Sequence, residues 1–283
     1  MTAYGPPSMG HTGLKIRMAI VGFILFAFYA VTAVAVMAIW GTGTLPLLLV
    51  GSVFLIGAQY KIGKWAALRS VGAEDLPEDQ YGDLHRRVES LSKDMGIEKP
   101  RLMIASMGVP NAFAVGRKGA GTVVVSRELL NTLEPDEVEG VLAHELAHIR
   151  NRDVVMMVLG QGIASIVAIV AQWAVLLTGD NDIADFFLAI VVGNVVQFIV
   201  MLFVLAISRY REYVADADAK EAIGSGDPLA SALEKIQRGN ASAREDNLDN
   251  QVSALAIFGD GGGLASLLST HPPVEERIQR LRS

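Results

Sequence analysis

The sequence predicts a mainly α-helical integral membrane protein, with about four transmembrane helices and a cytoplasmic α+β domain containing a small sheet. Three observations lead there. The 283 residues are 51% hydrophobic with a positive mean hydropathy, yet carry 24 basic and 30 acidic side chains, so apolar segments must alternate with charged ones. Four runs approach the about 20 apolar residues that a crossing needs: Met18–Trp40, Thr44–Tyr60, Val154–Thr178 and Phe186–Ile207. Between the second and third lies a stretch whose pattern is that of a compact mixed domain.

The spans can be taken in order. The first follows Lys15 and Arg17 and is longer than the apolar core of a signal peptide, so it reads as an uncleaved anchor. Residues 1–17 read as a flexible tail ahead of it. The second is short and contains Pro46, which fits a tilted or partly interfacial segment. The third and fourth are joined by the acidic linker "GDNDIAD". Lys61, Lys64 and Arg69 follow the second span, and Arg209 and Arg211 follow the fourth, whereas "GTG" and "GDNDIAD" hold no basic residue. Positive charge therefore marks one side, the cytoplasm, and both termini belong there.

The region 61–153 divides by its own signals. "EDLPEDQYGDLHRRVESLSKDMG" places Leu84, Val88, Leu91 and Met95 on one helical face and closes at Gly96. "RLMIAS", "NAFAV" and "TVVVS" read as strands, separated by "MGVP" and "GRKGAG". "ELLNTL" is a short helix. Pro135 then opens another, with Asp136 and Glu137 in its first turn, where acidic groups favour the helix dipole.

That helix carries "HELAH". His144 and His148 are four apart, so both imidazoles project from one helical face and can grip one cation. Glu145 points to the side, placed to exchange protons with a water. The chain has no cysteine, which leaves histidines and carboxylates as metal donors. Zinc suits such a set, with one position open to water, although other divalent ions accept the same donors. No further histidine follows within the motif. On spacing, the third ligand is sought in "SRYREYVADADA", where Glu212 and Asp216 share a helix face; Glu221 and Asp216 rival Glu212. Two spans separate the two segments, so both return to one membrane side. A net charge of −6 and the lack of a basic, aromatic-rich patch exclude nucleic acid as a partner.

"HELAH" on a helix entering the membrane, "REYVADADA" after the next pair of spans, "NAFAVG" upstream and "STHPPVEERIQRL" at the end together resemble the HtpX-type membrane zinc metalloproteases, relatives of the CAAX prenyl proteases. The resemblance runs from the first span to the last helix. It implies a zincin-like metallopeptidase domain over residues 61–153 and 208–283, bracketing the helix pair 154–207, with one zinc ion per chain. It implies His144, His148 and Glu212 as zinc ligands, Glu145 as general base and Asp216 as a carboxylate behind a ligating histidine. Asn111 would help to hold extended substrate, and His271 would reach the oxyanion or the rim of the site. It implies protein substrates, among them damaged or misfolded membrane proteins in a quality-control or stress role. The chain departs from the family pattern at "AVGR", where a threonine version is commoner. Two other readings compete: a CAAX-type prenyl-protein processing protease, and a membrane scaffold with a structural metal. Four spans are few for the large chamber of the first, and a purely structural site needs no base such as Glu145. The stretch from Gly239 to Gly263 reads as loop-rich, and His85 as a solvated or interfacial residue.

Overall fold

The computed structural model describes residues 11–178, 183–248 and 272–283. The chain divides into two compact units, one of residues 12–63 and 155–208, the other of residues 64–154 and 209–283.

The first unit is helical. Helix α1 spans His11–Trp40, a single 3-10 turn Thr42–Thr44 follows, α2 spans Leu45–Ser70, α6 spans Asp153–Thr178 and α7 spans Ile183–Ile223. Pro46 sits in the first turn of α2, where its missing N–H costs nothing, and the helix continues ten residues past the expected end at Tyr60. Large apolar side chains point outward here: Phe23 is 71% exposed, Leu47 75% and Phe54 76%, the inverse of a water-soluble helix pair. Small residues set the contacts between helices. A Cβ on Gly162 would meet Ile56 at 2.6 Å, and one on Gly193 would meet Gln172 at 2.1 Å. Tyr29 and Ser52 share a hydrogen bond of 3.0 Å, and Gln59 donates to Ser165 at 3.2 Å.

Among the described residues, three helical stretches are long and apolar enough to cross a membrane: Gly22–Trp40, Thr42–Ser70 and Asp153–Leu177. The fourth expected run contributes a shorter apolar helix, Ile183–Ile199. It is the opening part of α7, which runs unbroken through Arg209 and Arg211 to Ile223. Those charges end the apolar run without ending the helix.

The second unit holds the sheet. Strands β1 (Glu74–Asp75), β2 (Arg101–Ala105), β3 (Ala112–Val115) and β4 (Thr122–Ser126) lie in the order β1-β2-β4-β3. β2 and β4 are parallel, and β3 runs antiparallel to β4 at the edge. Alternation sends Leu102 and Ile104 to one face, where Val123, Val125 and the helices gather, and Met103, Ala105 and Val124 to the other, beside Leu68, Val71 and Phe113. Helix α3 (Gly82–Asp94) buries Val88 and Leu91 as its pattern predicts, and Gly96 takes the left-handed conformation just beyond it. His85 is half-buried and bonds the carbonyl of Leu76 through Nε2 at 3.0 Å.

Helix α4 (Arg127–Thr132) precedes α5 (Pro135–Arg150), which packs Val138, Val141, Leu142, Leu146 and Ile149 into the core. Glu137 closes the start of α5 by accepting from the Glu134 N–H at 2.8 Å, and also pairs with Lys235 at 2.7 Å. That lysine lies on α8 (Asp227–Leu248), and α9 (Val274–Arg282) completes the unit. The helical reach of α8 corrects the loop expected from Gly239: residues 239–248 are helical, and the remainder of that stretch lies outside the described residues, as does His271.

Candidate metal centre

The site begins with the break between α5 and α6. α5 ends at Arg150, and Arg152 adopts φ 59°, the one non-glycine among the described residues in the left-handed region. That conformation costs an L-residue about 1–2 kcal/mol. The reversal brings Asp153 back beneath the end of α5, where its Oδ2 accepts from His148 Nδ1 at 2.6 Å. The motif helix therefore does not run continuously into the following apolar helix.

His144 and His148 project from the same face, with Nε2 atoms 3.1 Å apart. α7 brings Glu212 to both: Oε2 lies 3.6 Å from Nε2 of His144 and Oε1 lies 3.4 Å from Nε2 of His148. One donor atom from each of the three residues falls within 4.8 Å of the others. Metal–ligand bonds of about 2.0–2.1 Å in a tetrahedron demand donors about 3.4 Å apart, so these separations fit a small divalent cation. Glu221 is exposed and takes no part in this cluster. Asp216, one turn after Glu212, faces the opposite side of the ring, its Oδ1 3.0 Å from His144 Nδ1. Each imidazole thus has its own carboxylate behind it, Asp216 for His144 and Asp153 for His148. Such pairing fixes which nitrogen is free to ligate.

Two buried arginines balance the carboxylates. Arg211 Nε stands 3.0 Å from Asp153 Oδ1. Arg277, reaching in from α9, spans both acids of α7: Nε and Nη2 donate to Asp216 at 2.8 and 2.7 Å, and Nη1 pairs with Glu212 at 3.1 Å. Within this buried cluster four carboxylates (Glu145, Asp153, Glu212 and Asp216) face two guanidiniums, leaving two negative charges to be met. Buried negative charge favours a cationic partner, which a protonated His144 or a bound divalent ion would supply. The protein's own groups express the same demand. Burial opposes charging His144, but hydrogen bonds with Asp216 and Glu212 override it and push the imidazole up to about 10. Burial also resists ionisation of Asp216, and the Arg277 and His144 hydrogen bonds hold its carboxyl below the usual range.

Glu145 is buried beside the pair. Burial raises its carboxyl above the ordinary glutamate range, against the pull of His148 and His144 and a hydrogen bond from the Ala114 backbone. Ala114 belongs to β3, so the edge strand and the motif helix meet at this carboxylate. Asn111 is exposed at the head of β3, its N–H donating to Ser126 Oγ at 2.9 Å and its carbonyl accepting from the Ser126 N–H at 2.9 Å.

Sequence reasoning missed Asp153, Arg211 and Arg277. Asp153 had a local signal, an acid five residues past His148 in "HIRNRD". Arg277 had none, because its partners are distant in the chain.

Residues 78–283 match the family model described as Peptidase family M48. A "Protease HtpX homolog" from Halobacterium salinarum is 64% identical over 94% of this chain and its own full length. "Protease HtpX" from Idiomarina loihiensis is 35% identical over 95% of this chain and 96% of its own. In fold, the crystal structure of S. mikatae Ste24p matches with a TM-score of 0.60 at 23% identity, over 94% of this chain and 63% of that one. A match over most of the chain, carrying with it the helix of His144 and His148 and the helix of Glu212, leaves one assignment: this protein belongs to peptidase family M48.

Proposed function

We propose that the protein is a zinc-dependent endopeptidase held in the cell membrane by four helical crossings. Its active site faces the cytoplasm and cuts damaged or misfolded membrane proteins. Residues 61–153 and 208–283 form its catalytic domain. The observation that carries the reading is the convergence of His144, His148 and Glu212 at tetrahedral spacing with Glu145 beside them. Family membership adds the reaction class. The quality-control role rests on the HtpX proteases to which the chain is similar.

His144, His148 and Glu212 would hold the ion. Zinc bound there supplies Lewis acidity, polarising the scissile carbonyl and bringing a water's pKa towards about 7. The chain's own residues do the rest. Among the described residues β3 pairs with β4 alone and lies at the sheet edge, where an extended peptide would add as a further strand, with Asn111 at its head. Glu145 takes the proton from the attacking water as the new C–O bond forms, and passes it to the amine nitrogen as the C–N bond breaks. A carboxylate made more basic by burial is suited to hold that proton between the two steps. Asp216 and Asp153 keep the imidazoles oriented, and His271, outside the described residues, has a role at the oxyanion or the rim by resemblance alone. The basic residues at the inner ends of the spans set the orientation.

Replacing Glu145 with Gln is the direct test. The variant is expected to keep its zinc and to lose at least about 10²-fold in peptide hydrolysis, the ordinary worth of a general base. Undiminished cleavage by the Glu145→Gln protein would refute the mechanism. Offering an unfolded membrane protein beside a prenylated peptide separates quality control from prenyl-protein processing.

A further inference from the structure

Arg277 is an expensive residue in an unexpected place. It sits on the nine-residue helix α9, yet its side chain is only 7% exposed and reaches the acids of α7. All three of its nitrogens are engaged: Nε and Nη2 with the two oxygens of Asp216, Nη1 with Glu212 Oε2. Nη2 also stands 3.4 Å from His144 Nε2. A planar fork that grips one carboxylate with two bonds and a second with the remaining nitrogen fixes their mutual orientation, which a point charge such as lysine does not do.

Holding α9 in place does not explain the arrangement, because α9 has anchors of its own. Lys220 donates to the Leu281 carbonyl at 2.9 Å, and Arg282 pairs with Glu234 at 2.7 Å. Arg280 lies over the ring of Tyr213, 4.1 Å from its centroid. Gly226 is packed so closely on Leu281 that a Cβ would fall 2.1 Å from its carbonyl oxygen. With the helix secured elsewhere, the buried guanidinium is left with a different task. Glu212 and Asp216 are one turn apart on one helix face, both nearly buried, and two such carboxylates repel. Something must hold Glu212 towards the imidazoles and Asp216 behind His144.

We propose that Arg277 is a positioning residue of the metal centre: its guanidinium clamps Glu212 and Asp216 in the ligating geometry. The proposal rests on the reading that His144, His148 and Glu212 hold a divalent ion. Arg277 acts from outside the ligands, as Asp216 does behind His144 and Asp153 behind His148, and removing one such outer partner lowers metal affinity by about 10- to 100-fold.

The test uses the full chain in detergent, with zinc affinity read by competition against a chromophoric chelator and the thermal midpoint recorded alongside. Arg277→Gln is expected to bind zinc about 10- to 100-fold more weakly, and Arg277→Lys to recover part of the loss. Asp216→Asn combined with Arg277→Gln is expected to fall well short of the product of the single losses, because the two residues act as one unit. Lys220→Met with Arg282→Ala loosens α9 without touching the guanidinium; it is expected to lower the midpoint while zinc affinity stays within about twofold. Wild-type zinc affinity in Arg277→Gln overturns the proposal. So does an equal zinc loss in the loosened helix, which would make docking alone the cause. A wild-type chain that binds no zinc overturns the functional reading as well, and is told apart by that control.

Discussion

Asp153 shows how a single residue serves two parts of the site. One carboxylate oxygen orients His148 at 2.6 Å, and the other pairs with buried Arg211 at 3.0 Å. Asp153→Asn is expected to weaken zinc binding about 10- to 100-fold, because the amide oxygen is a poorer acceptor for the imidazole N–H. Arg211→Leu should act on stability instead. It leaves Asp153 buried and without its cation, a change that costs about 3–5 kcal/mol and would be read as a lowered denaturation midpoint. His144 and His148 could be read from the sequence because residues four apart on a helix must share a face. Spacing alone carried the acidic partner only as far as a choice among Glu212, Asp216 and Glu221. Asp153 stands five residues past His148 in the sequence, but its return to that imidazole depends on the left-handed turn at Arg152, which the spacing does not give. Arg277 was hidden by distance: it lies 61 residues from Asp216 and 133 from His144 in the chain.

Elements were legible where burial imposes a period. α3 buries the face its apolar spacing marks, and β2, β3 and β4 fall on the three β-rich runs. β1 was not legible, since two acidic residues, Glu74 and Asp75, carry no strand signal and pair only because β2 is there. Helix crossings were equally invisible, and Gly140 makes the point. In a helix interior, alanine is ordinarily better than glycine by about 0.5–1 kcal/mol. At Gly140 a Cβ would lie 2.8 Å from the Leu229 backbone nitrogen, where α5 meets α8. Gly140→Ala is therefore expected to destabilise by about 1–3 kcal/mol, reversing the sign that helix propensity gives, and thermal unfolding measures it. The loop before β3 is held from α4. Glu128 accepts from the N–H groups of Met107 and Gly108 at 3.2 and 3.0 Å. Burial opposes its ionisation, but its own amide, those two N–H groups and the Ser126 hydroxyl hold the carboxyl below its usual 4.5. A carboxyl depressed on folding contributes stability that is fully present above 4.5 and disappears as pH falls through the lower, folded value. The gap in unfolding midpoint between wild type and Glu128→Gln should accordingly be open near neutrality and close in acid.

At the scale of the whole molecule, composition and charge carried most of what could be known before the fold. Apolar runs are recognisable because the bilayer sets their length, and the lysines and arginines of the loops give an expected side. What composition could not foresee was where helices stop, since α2 and α7 both continue into charged sequence once the backbone is already hydrogen-bonded. The orientation is open to a clean measurement because the chain has no cysteine, so any thiol introduced is the sole reporter. Thr42 lies exposed in the link between α1 and α2, which holds no basic residue, and Lys118 lies exposed in the basic turn between β3 and β4. With the catalytic unit on the cytoplasmic side, Thr42→Cys should react with a membrane-impermeant maleimide on intact cells. Lys118→Cys should react only after the membrane is opened. Both substitutions are at exposed polar positions, where side-chain changes cost within about 0.5 kcal/mol, so neither should disturb the fold that reports them. Labelling of Lys118→Cys on intact cells would place the catalytic unit outside and reverse the assignment. The proposed substrates, misfolded membrane proteins, would then have to be met from the opposite face of the bilayer.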